Sequence, residues 1–299
     1  MHNINPKLSV VIVFFNMQRE ATRTLFSLTT EYQKGIHERD YEVIVVDSNS
    51  SQPLDEEWVV SIQKNFHYQY VESLWPSPCR AMNIGINMAK ADNVVCIIDG
   101  ARILSPGILL KMIQINSLYH NVFVQTIAMH IGNKVQPISV EEGYNQKVED
   151  KHIATVNWQL DGYELFNISC LALSSKKGFF SPLPESNCFS APKKKLLEIG
   201  GFDEKFKTPG GGIVNFDVLN NIIRDPQIQP IMLLGEATFH QFHGGVATNV
   251  PRAKHPMKLF LKEYLDVRGL PYNKVIRQPI YFGDMHENAM KFAFNVTET

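Results

Sequence analysis

The sequence is short of the features that mark several protein classes. Its 299 residues carry 29 Lys and Arg against 30 Asp and Glu, a net charge of −1, so it has no overall electrostatic footprint for nucleic acid or an anionic membrane. The longest apolar run near the start, residues 8–15, is far too short to cross a bilayer. With 44% hydrophobic and 20% charged residues, the composition is that of an ordinary soluble globular protein.

Signals for export are missing as well. The opening residues, MHNINPK, lead into a run without a cleavage site, so we expect no signal peptide. The four cysteines show no paired spacing, which predicts reduced thiols in a cytoplasmic protein. These cysteines are Cys79, Cys96, Cys170 and Cys188. Residues 295–297 fit a glycosylation sequon, which we expect to be a chance match without a secretion signal.

What the chain does have is an alternation of strand and helix patterns in its N-terminal half. KLSVVIVFF, YEVIVVD and DNVVCIID are continuous apolar runs, typical of strands buried on both faces of a parallel sheet. Helical spacing of apolar residues occurs between them, which implies right-handed crossovers. The predicted fold class is α/β, a mostly parallel sheet flanked by helices. We expect one domain over residues 1–250 and a small helical C-terminal extension, 251–299, packed on it.

Polar residues follow three of the predicted strands. Asn16, Asp47 and Asp99 each lie just past the end of an apolar run. Ligands of such sheets bind outside the carboxyl ends of the strands, so these three side chains are expected to share one crevice.

Five stretches resemble, in order, the family 2 glycosyltransferases of the GT-A fold. They are LSVVIVFFNMQREATRTLFSL, YEVIVVDSNSS, RAMNIGINMAKADNVVCIIDGARILSPG, KKLLEIGGFDEKF and FHQFHGG, and together they cover roughly residues 8–250. The resemblance implies a Rossmann-like GT-A domain that transfers a sugar from a nucleotide diphosphate donor to an acceptor, usually with Mn²⁺ or Mg²⁺.

Residues at the ends of the first two strands match the family's nucleoside contacts. The resemblance assigns Asp47 to the nucleoside, because a carboxylate can accept hydrogen bonds from the N–H groups of the base and the hydroxyls of the ribose. The alternative is that Asp47 is a turn or cap residue. Asn16 follows an aromatic pair, so Phe14 or Phe15 is a candidate for base stacking, with core packing as the alternative.

The helix before the Asp99 strand carries the pattern R-x-x-N-x-G. Arg80 and Asn83 are three residues apart and share a helix face. The resemblance implies that this face presents a cation and an amide to the nucleotide or to Asp99; the alternative for Arg80 is a solvated surface side chain.

The family's Asp-x-Asp motif is incomplete, because the sequence reads Asp99-Gly100-Ala101. A cation bridging two phosphates needs few protein ligands besides phosphates and waters, so Asp99 with one further ligand is expected to suffice. His240 and His243 are the candidates, and Mn²⁺ accepts imidazole better than Mg²⁺ does. Because residues three apart lie on opposite faces of a strand, we expect one ligand, and we favour His243 since two glycines follow it. Packed histidines, or a metal-free site in which Arg102 or Lys side chains neutralise the diphosphate, are the alternatives.

The catalytic base is the second incomplete motif. Inverting transfer needs a group that takes the acceptor hydroxyl proton. At the position of the family's acidic pair, this chain has Val214 and Asn215, and an amide is not a base. We therefore predict Asp217 or Glu185 as the base, with a retaining mechanism or an inactive protein as alternatives. A helix start after the glycine run 210–212 would aim the Asp217 carboxylate into the crevice; the alternative for Asp217 is a plain helix cap.

The sequence thus predicts a glycosyltransferase of polysaccharide biosynthesis, inverting and metal-assisted. Its expected partners are a nucleotide-sugar donor and a glycan or lipid-linked acceptor, with no nucleic acid and no transmembrane segment, while peripheral membrane association is left open. The rival functions are a non-catalytic nucleotide-sugar-binding protein and a nucleotidyltransferase with a similar crevice.

Overall fold

One sheet of ten strands lies at the centre of the part of the chain that the computed structural model describes, residues 5–294. The strands are β1 (Leu8–Phe14), β2 (Tyr41–Ser48), β3 (Phe66–Val71), β4 (Asn93–Ile97), β5 (Arg102–Leu104), β6 (Val122–Ile131), β7 (Ser169–Leu171), β8 (Cys188–Pro192), β9 (Gln229–His240) and β10 (Ile280–Phe282). Their order is β10-β9-β6-β8-β4-β1-β2-β3, with β5 paired to β9 and β7 to β6.

The helices connect the strands and cover the sheet. They are α1 (Gln18–Phe26), α2 (Glu56–Ile62), α3 (Cys79–Met88), α4 (Ile108–Leu118), α5 (Gln136–Ser139), α6 (Gln146–Ile153), α7 (Lys193–Glu198), α8 (Val214–Ile223), α9 (Met257–Arg268) and α10 (Glu287–Met290). The first helix ends at Phe26, after which the chain continues through turns. The region 133–160 contains α5 and α6.

The prediction of a mostly parallel α/β sheet flanked by helices is confirmed. The strand β1 pairs in parallel with β2 and β4, and β9 with β6 and β10, whereas β8 runs antiparallel to β4 and β6. Every residue of β1 is buried. Leu8, Val10 and Ile12 pack into one hydrophobic cluster, while Val11 and Val13 pack into another on the opposite face. This explains why the run is continuously apolar rather than alternating.

The segment after residue 250 contributes more than the helix predicted there. Its helix α9 packs through Phe260 and Tyr264 on the second cluster, and β10 adds a strand at the sheet edge beside β9. Within residues 5–294, no helix combines the length and apolar character that a membrane span requires. The sequon at 295–297 and the first four residues of the opening segment lie outside the described part.

Candidate functional site

A cavity of about 640 Å³ opens at the carboxyl ends of the central strands. Its wall includes the last residues of three parallel strands or those just past them: Val13 near the end of β1 and Asn16 after it, Ser48 at the end of β2, and Asp99 after β4. Parallel strands deliver their carboxyl ends to one edge, which is why residues far apart in sequence meet here. Asn16 and Asp99 line the cavity as the strand-end pattern predicted, whereas Asp47, the third residue expected there, does not.

Asp99 lies where β4 ends, and several polar groups surround its carboxylate. One oxygen, Oδ1, accepts a hydrogen bond from the backbone N–H of Ala101 at 3.0 Å. The other, Oδ2, is 2.9 Å from Nε2 of His240 and 3.3 Å from Nη2 of Arg102. The Nε2 atom of His243 lies 3.7 Å from Oδ1. Potential ligand atoms of Asp99, His240 and His243 all fall within 4.8 Å of one another.

Both histidines lie beside Asp99, although strand alternation had predicted that they would lie on opposite faces. His240 is the last residue of β9, held opposite Arg102 on β5 and His130 on β6. After it the chain leaves the strand, so the alternation of faces no longer applies, and His243 turns back. The two imidazole rings meet edge to face, with centroids 5.1 Å apart.

Gln136 fixes the tautomer of His240. Its side-chain oxygen Oε1 accepts from Nδ2 of Asn249 at 3.0 Å and lies 2.6 Å from Nδ1 of His240. Its amide nitrogen donates to the carbonyl of His240 at 3.1 Å. Because Oε1 is an acceptor, Nδ1 of His240 carries the proton and Nε2 presents its lone pair to the Asp99 carboxylate.

This arrangement suits a cation. His240 is fully buried, and its Nε2 has no hydrogen-bond partner within residues 5–294, although it lies 2.9 Å from a carboxylate oxygen. Two lone-pair-bearing atoms that face each other at this distance repel unless a positive charge lies between or beside them. Nη2 of Arg102, 3.3 Å from Oδ2, provides part of that charge. A divalent ion held by Asp99, His240 and His243 would provide more, since carboxylate with imidazole is a usual ligand set for transition metals. The residues present therefore fit a metal.

Protonation states support the same interpretation. Burial lowers the pKa of His240 to about 4, even though Asp99 acts to raise it. Burial alone would raise the pKa of Asp99, but His243, His240 and Arg102 outweigh it and hold that pKa well below its usual range. At neutral pH, Asp99 is therefore charged and His240 is neutral, which are the forms that bind metals.

The loop that carries His243 is held by one side chain. The Oδ1 atom of Asn249 accepts hydrogen bonds from three consecutive backbone N–H groups, those of His243, Gly244 and Gly245, at 3.1, 3.0 and 2.9 Å. Asn249 in turn donates to Gln136, so one hydrogen-bonded network positions both histidines.

Ala101, where the family has a second carboxylate, contributes no side chain to the cavity. Its methyl group is fully buried in the first hydrophobic cluster. Beside it, an added Cβ at Gly100 would lie 2.3 Å from the ring of Phe14, so the loop after β4 is packed directly on this ring. Phe14 is thus a core residue, and Phe15, which is 44% exposed, lines the cavity instead.

Glu185 lines the cavity and Asp217 does not. Burial raises the pKa of Glu185, although Arg102, Ser174 and Asn187 act in the opposite direction. Asp217 is 2% exposed, and its two carboxylate oxygens accept from Nε and Nη2 of Arg268 on α9 at 3.0 and 2.5 Å. The prediction that a helix start aims Asp217 into the crevice is corrected, because this bidentate ion pair turns its carboxylate toward α9.

Asn215, the amide at the family's acidic position, does line the cavity. Its Nδ2 donates to Oδ1 of Asn187 at 2.9 Å, two residues from Glu185. The preceding glycines, Gly210 and Gly212, also line the cavity. The backbone angle φ is positive at residues 210, 211 and 212, a conformation that residues other than glycine rarely adopt.

The remaining predicted nucleotide contacts lie outside the cavity wall, except for Asn16. Asn83 on α3 exchanges hydrogen bonds with the backbone of Phe202 at 2.8 Å, so it fixes the loop after α7, and Arg80 is exposed. Asp47 is buried and accepts from the backbone N–H groups of Ser50 and Leu54. Its carboxylate therefore holds the loop after β2, on which Ser48 borders the cavity.

Sequence reasoning missed Gln136, Asn249 and Arg102 as parts of the site. Arg102 was named only as an alternative cation for the diphosphate, yet it is 4% exposed and two of its nitrogens, Nε and Nη1, have no partner in the described chain. Arg102 directly follows the Asp-Gly-Ala motif, which is the one signal that could have indicated it. Gln136 begins the four-residue helix α5, and Asn249 lies in the loop after β9, so neither belongs to a segment long enough to carry a periodic signal.

Comparisons with known proteins agree with this fold. A family model described as "Glycosyltransferase like family 2" matches residues 9–232. No curated protein sequence is significantly similar to the chain. The crystal structure of S. aureus TarS 1–349 superposes with a TM-score of 0.52 at 14% identity, over 91% of this chain and 67% of that one. Its complex with UDP-GlcNAc gives 0.52 at 15% identity, over 91% and 68%.

A second protein has the same fold. The mannosyltransferase PcManGT from Pyrobaculum calidifontis, in complex with GDP-Man and Mn²⁺, gives a TM-score of 0.51 at 14% identity, over 90% of this chain and 66% of that one. At such identities the likeness shows a shared fold and carries no residue-by-residue correspondence.

Proposed function

The chain belongs to the glycosyltransferase like family 2, and from this premise we propose that it transfers a sugar from a nucleoside diphosphate donor to a hydroxyl acceptor in the Asp99 cavity. The observation that carries the proposal is the convergence of Asp99, His240 and His243 at the carboxyl ends of the parallel strands. Proteins of the same fold have been crystallised with UDP, UDP-GlcNAc, or GDP-Man and Mn²⁺.

We propose that Asp99, His240 and His243 hold Mn²⁺. Two imidazoles beside one carboxylate favour Mn²⁺ over Mg²⁺, which strongly prefers oxygen ligands. When bound, the ion neutralises the negative charge that develops on the leaving diphosphate. The chain's own contribution is to keep Asp99 ionised and His240 neutral, with Nε2 of His240 unprotonated, through burial and the hydrogen bond to Gln136.

We propose Glu185 as the general base. It lines the cavity, and a raised pKa makes its carboxylate a stronger base than an ordinary glutamate. In inverting transfer, Glu185 takes the proton of the acceptor hydroxyl while that oxygen bonds to the anomeric carbon and the bond from this carbon to the diphosphate breaks. Asp217 is the weaker candidate, because both of its oxygens are engaged by Arg268.

The test is transfer or hydrolysis of a panel of UDP- and GDP-sugars, with and without added Mn²⁺. We expect Glu185→Gln to lower turnover by about 10²–10⁴, the usual worth of general base catalysis, and to leave donor affinity nearly unchanged. Donor cleavage that is absent for every sugar, while nucleotide binding persists, would identify a binding protein instead. Full turnover in Glu185→Gln would exclude Glu185 as the base and support a retaining mechanism.

The acceptor is a glycan or a lipid-linked saccharide in this proposal. The cavity walls combine Glu185 and Asn215 with apolar side chains such as Ile213 and Phe216, which suits a polyhydroxylated ring with one polar and one apolar face.

A further inference from the structure

The helix α9 leaves one of its faces without a partner. Phe260 and Tyr264 are buried and hold the helix on the core. Met257, Leu261 and Leu265 are 39%, 42% and 44% exposed. Because they are four residues apart, these three side chains form one apolar stripe along the helix surface.

Basic residues accompany this stripe. Lys258 and Lys262 follow Met257 and Leu261 by one residue and lie along its edge, and both are exposed. Arg252 and Lys254 are exposed just before the helix. Residues 246–262 contain no Asp or Glu, so this segment is strongly basic although the whole chain has a net charge of −1.

The acidic groups nearby offset only part of this charge. Asp266 pairs with Lys262 at 2.6 Å on the exposed side of the helix. Glu263 is half-buried and accepts hydrogen bonds from the backbone N–H groups of Lys207 and Thr208, so it faces the protein. Three cationic side chains of residues 246–262 therefore remain without an acidic partner in the described chain.

This apolar and basic surface borders the mouth of the cavity. Met257 lines the cavity, together with the exposed Val246 and Phe15. Elsewhere on the wall is Pro76, which follows the exposed Leu74 and Trp75; Leu74 is 94% exposed. Large apolar side chains thus reach solvent from several segments of the chain around one opening.

We propose that α9 and the segment before it dock on an anionic membrane surface, with the cavity mouth turned toward the bilayer. Helices that lie in a membrane interface combine an apolar stripe with flanking Lys and Arg, and anionic lipids attract such segments. A protein partner is a poorer fit, because the centres of protein interfaces are depleted of Lys. Docking in this orientation presents the cavity to a lipid-linked acceptor, a consequence that rests on the proposed function.

The test measures binding of the full-length protein to vesicles by co-sedimentation, with no donor present. We expect binding to phosphatidylcholine vesicles that contain phosphatidylglycerol, and weak or no binding to pure phosphatidylcholine. The double variant Lys258→Gln, Lys262→Gln should bind on the order of 20-fold more weakly, since each basic residue near the surface contributes about a fivefold effect. Leu261→Ser with Leu265→Ser should lower binding at least about tenfold through lost apolar burial.

Matched controls are Leu118→Ser and Lys194→Gln, exposed residues on α4 and α7 that lie outside the proposed surface. These variants should bind vesicles like the wild type, and every variant should retain its melting temperature and its affinity for the donor nucleotide. The proposal would be overturned if test and control variants lost vesicle binding equally. It would also be overturned if the wild type bound equally well with and without phosphatidylglycerol. The proposal would also be overturned if the wild type did not bind vesicles and instead formed a dimer, seen by sedimentation velocity, that Leu261→Ser dissociates. A protein that binds vesicles yet cleaves no donor would refute the proposed function alone.

Discussion

Replacing Gln136 tests the metal site without touching a ligand. Gln136 accepts from Nδ1 of His240 at 2.6 Å, accepts from Asn249 at 3.0 Å and donates to the carbonyl of His240 at 3.1 Å. In Gln136→Leu, no acceptor holds the proton on Nδ1, so His240 can adopt the tautomer that carries its proton on Nε2. That atom then no longer offers a lone pair toward Asp99. Losing such an outer hydrogen bond typically lowers metal affinity about 10–100-fold, or about 1.4–2.8 kcal/mol.

Gln136→Glu keeps an acceptor for both Nδ1 of His240 and Nδ2 of Asn249, so it tests the two hydrogen bonds that Gln136→Leu removes together. A carboxylate at this position still accepts from Nδ1 and increases the basicity of the imidazole, so we expect Mn²⁺ affinity close to that of the wild type or higher. The loss of the amide donor to the His240 carbonyl is shared by both variants, and therefore cannot explain a difference between them.

The assay is titration of the apo protein with Mn²⁺, following free Mn²⁺ by electron paramagnetic resonance. Gln33→Leu is a matched control, because Gln33 is equally buried and hydrogen-bonded to the backbone, but lies outside the cavity. Thermal unfolding without metal reports the stability lost in each variant. Wild-type Mn²⁺ affinity in a folded Gln136→Leu protein would refute the role of the tautomer, and equal losses in Gln136→Leu and Gln136→Glu would refute it as well.

Three further predictions concern carboxylates. Asp217→Asn should lower the free energy of unfolding by about 1–3 kcal/mol in chemical denaturation, through the weakened Arg268 pair, and leave turnover near wild type; a large loss of turnover at unchanged stability would return Asp217 to the base role. Ala101→Asp should cost several kcal/mol of stability without tightening Mn²⁺ binding, because the carboxylate would enter the apolar core; tighter binding would contradict this packing. Burial raises the pKa of Glu149 to about 7, so in the folded protein this carboxyl keeps a proton that the unfolded chain releases near pH 4.5. Relative to Glu149→Gln, the wild type should therefore lose up to about 3 kcal/mol of stability as pH rises from 4.5 to 7. Parallel pH profiles of the two proteins in denaturant titrations would contradict this prediction.

The sheet was predictable from the sequence, because strands buried on both faces leave a continuous apolar signal. The runs that became β1, β2 and β4 also end in polar residues, and this located the crevice edge. The signal stops at the strand ends. Whether Phe14 or Phe15 faces the cavity depends on contact with Gly100, a contact between segments far apart in sequence.

The parts of the site that sequence reasoning missed come from long-range contacts. Gln136 and Asn249 are more than 100 residues apart in sequence and meet next to His240. His240 ends β9, and the order of strands in the sheet decides which strands lie beside it. Asp217 was expected in the crevice because it lies at a helix start, but the helix start does not specify that Arg268, 51 residues later, will pair with its carboxylate. Tertiary partners of this kind leave no local pattern.

The two motif positions at which this chain lacks a carboxylate are each accompanied by a substitute nearby. Ala101 is buried in the core, and the acidic side chain missing there is matched by His240 and His243 beside Asp99. Asn215 cannot accept a proton, but its amide hydrogen-bonds to Asn187, two residues from Glu185, the cavity carboxylate whose pKa burial raises. One cavity thus combines a neutral, oriented imidazole beside Asp99 with a carboxylate of raised pKa, which are groups that metal binding and proton transfer require. The pair of replacements therefore favours an active transferase with rearranged catalytic groups over an inactive binding protein.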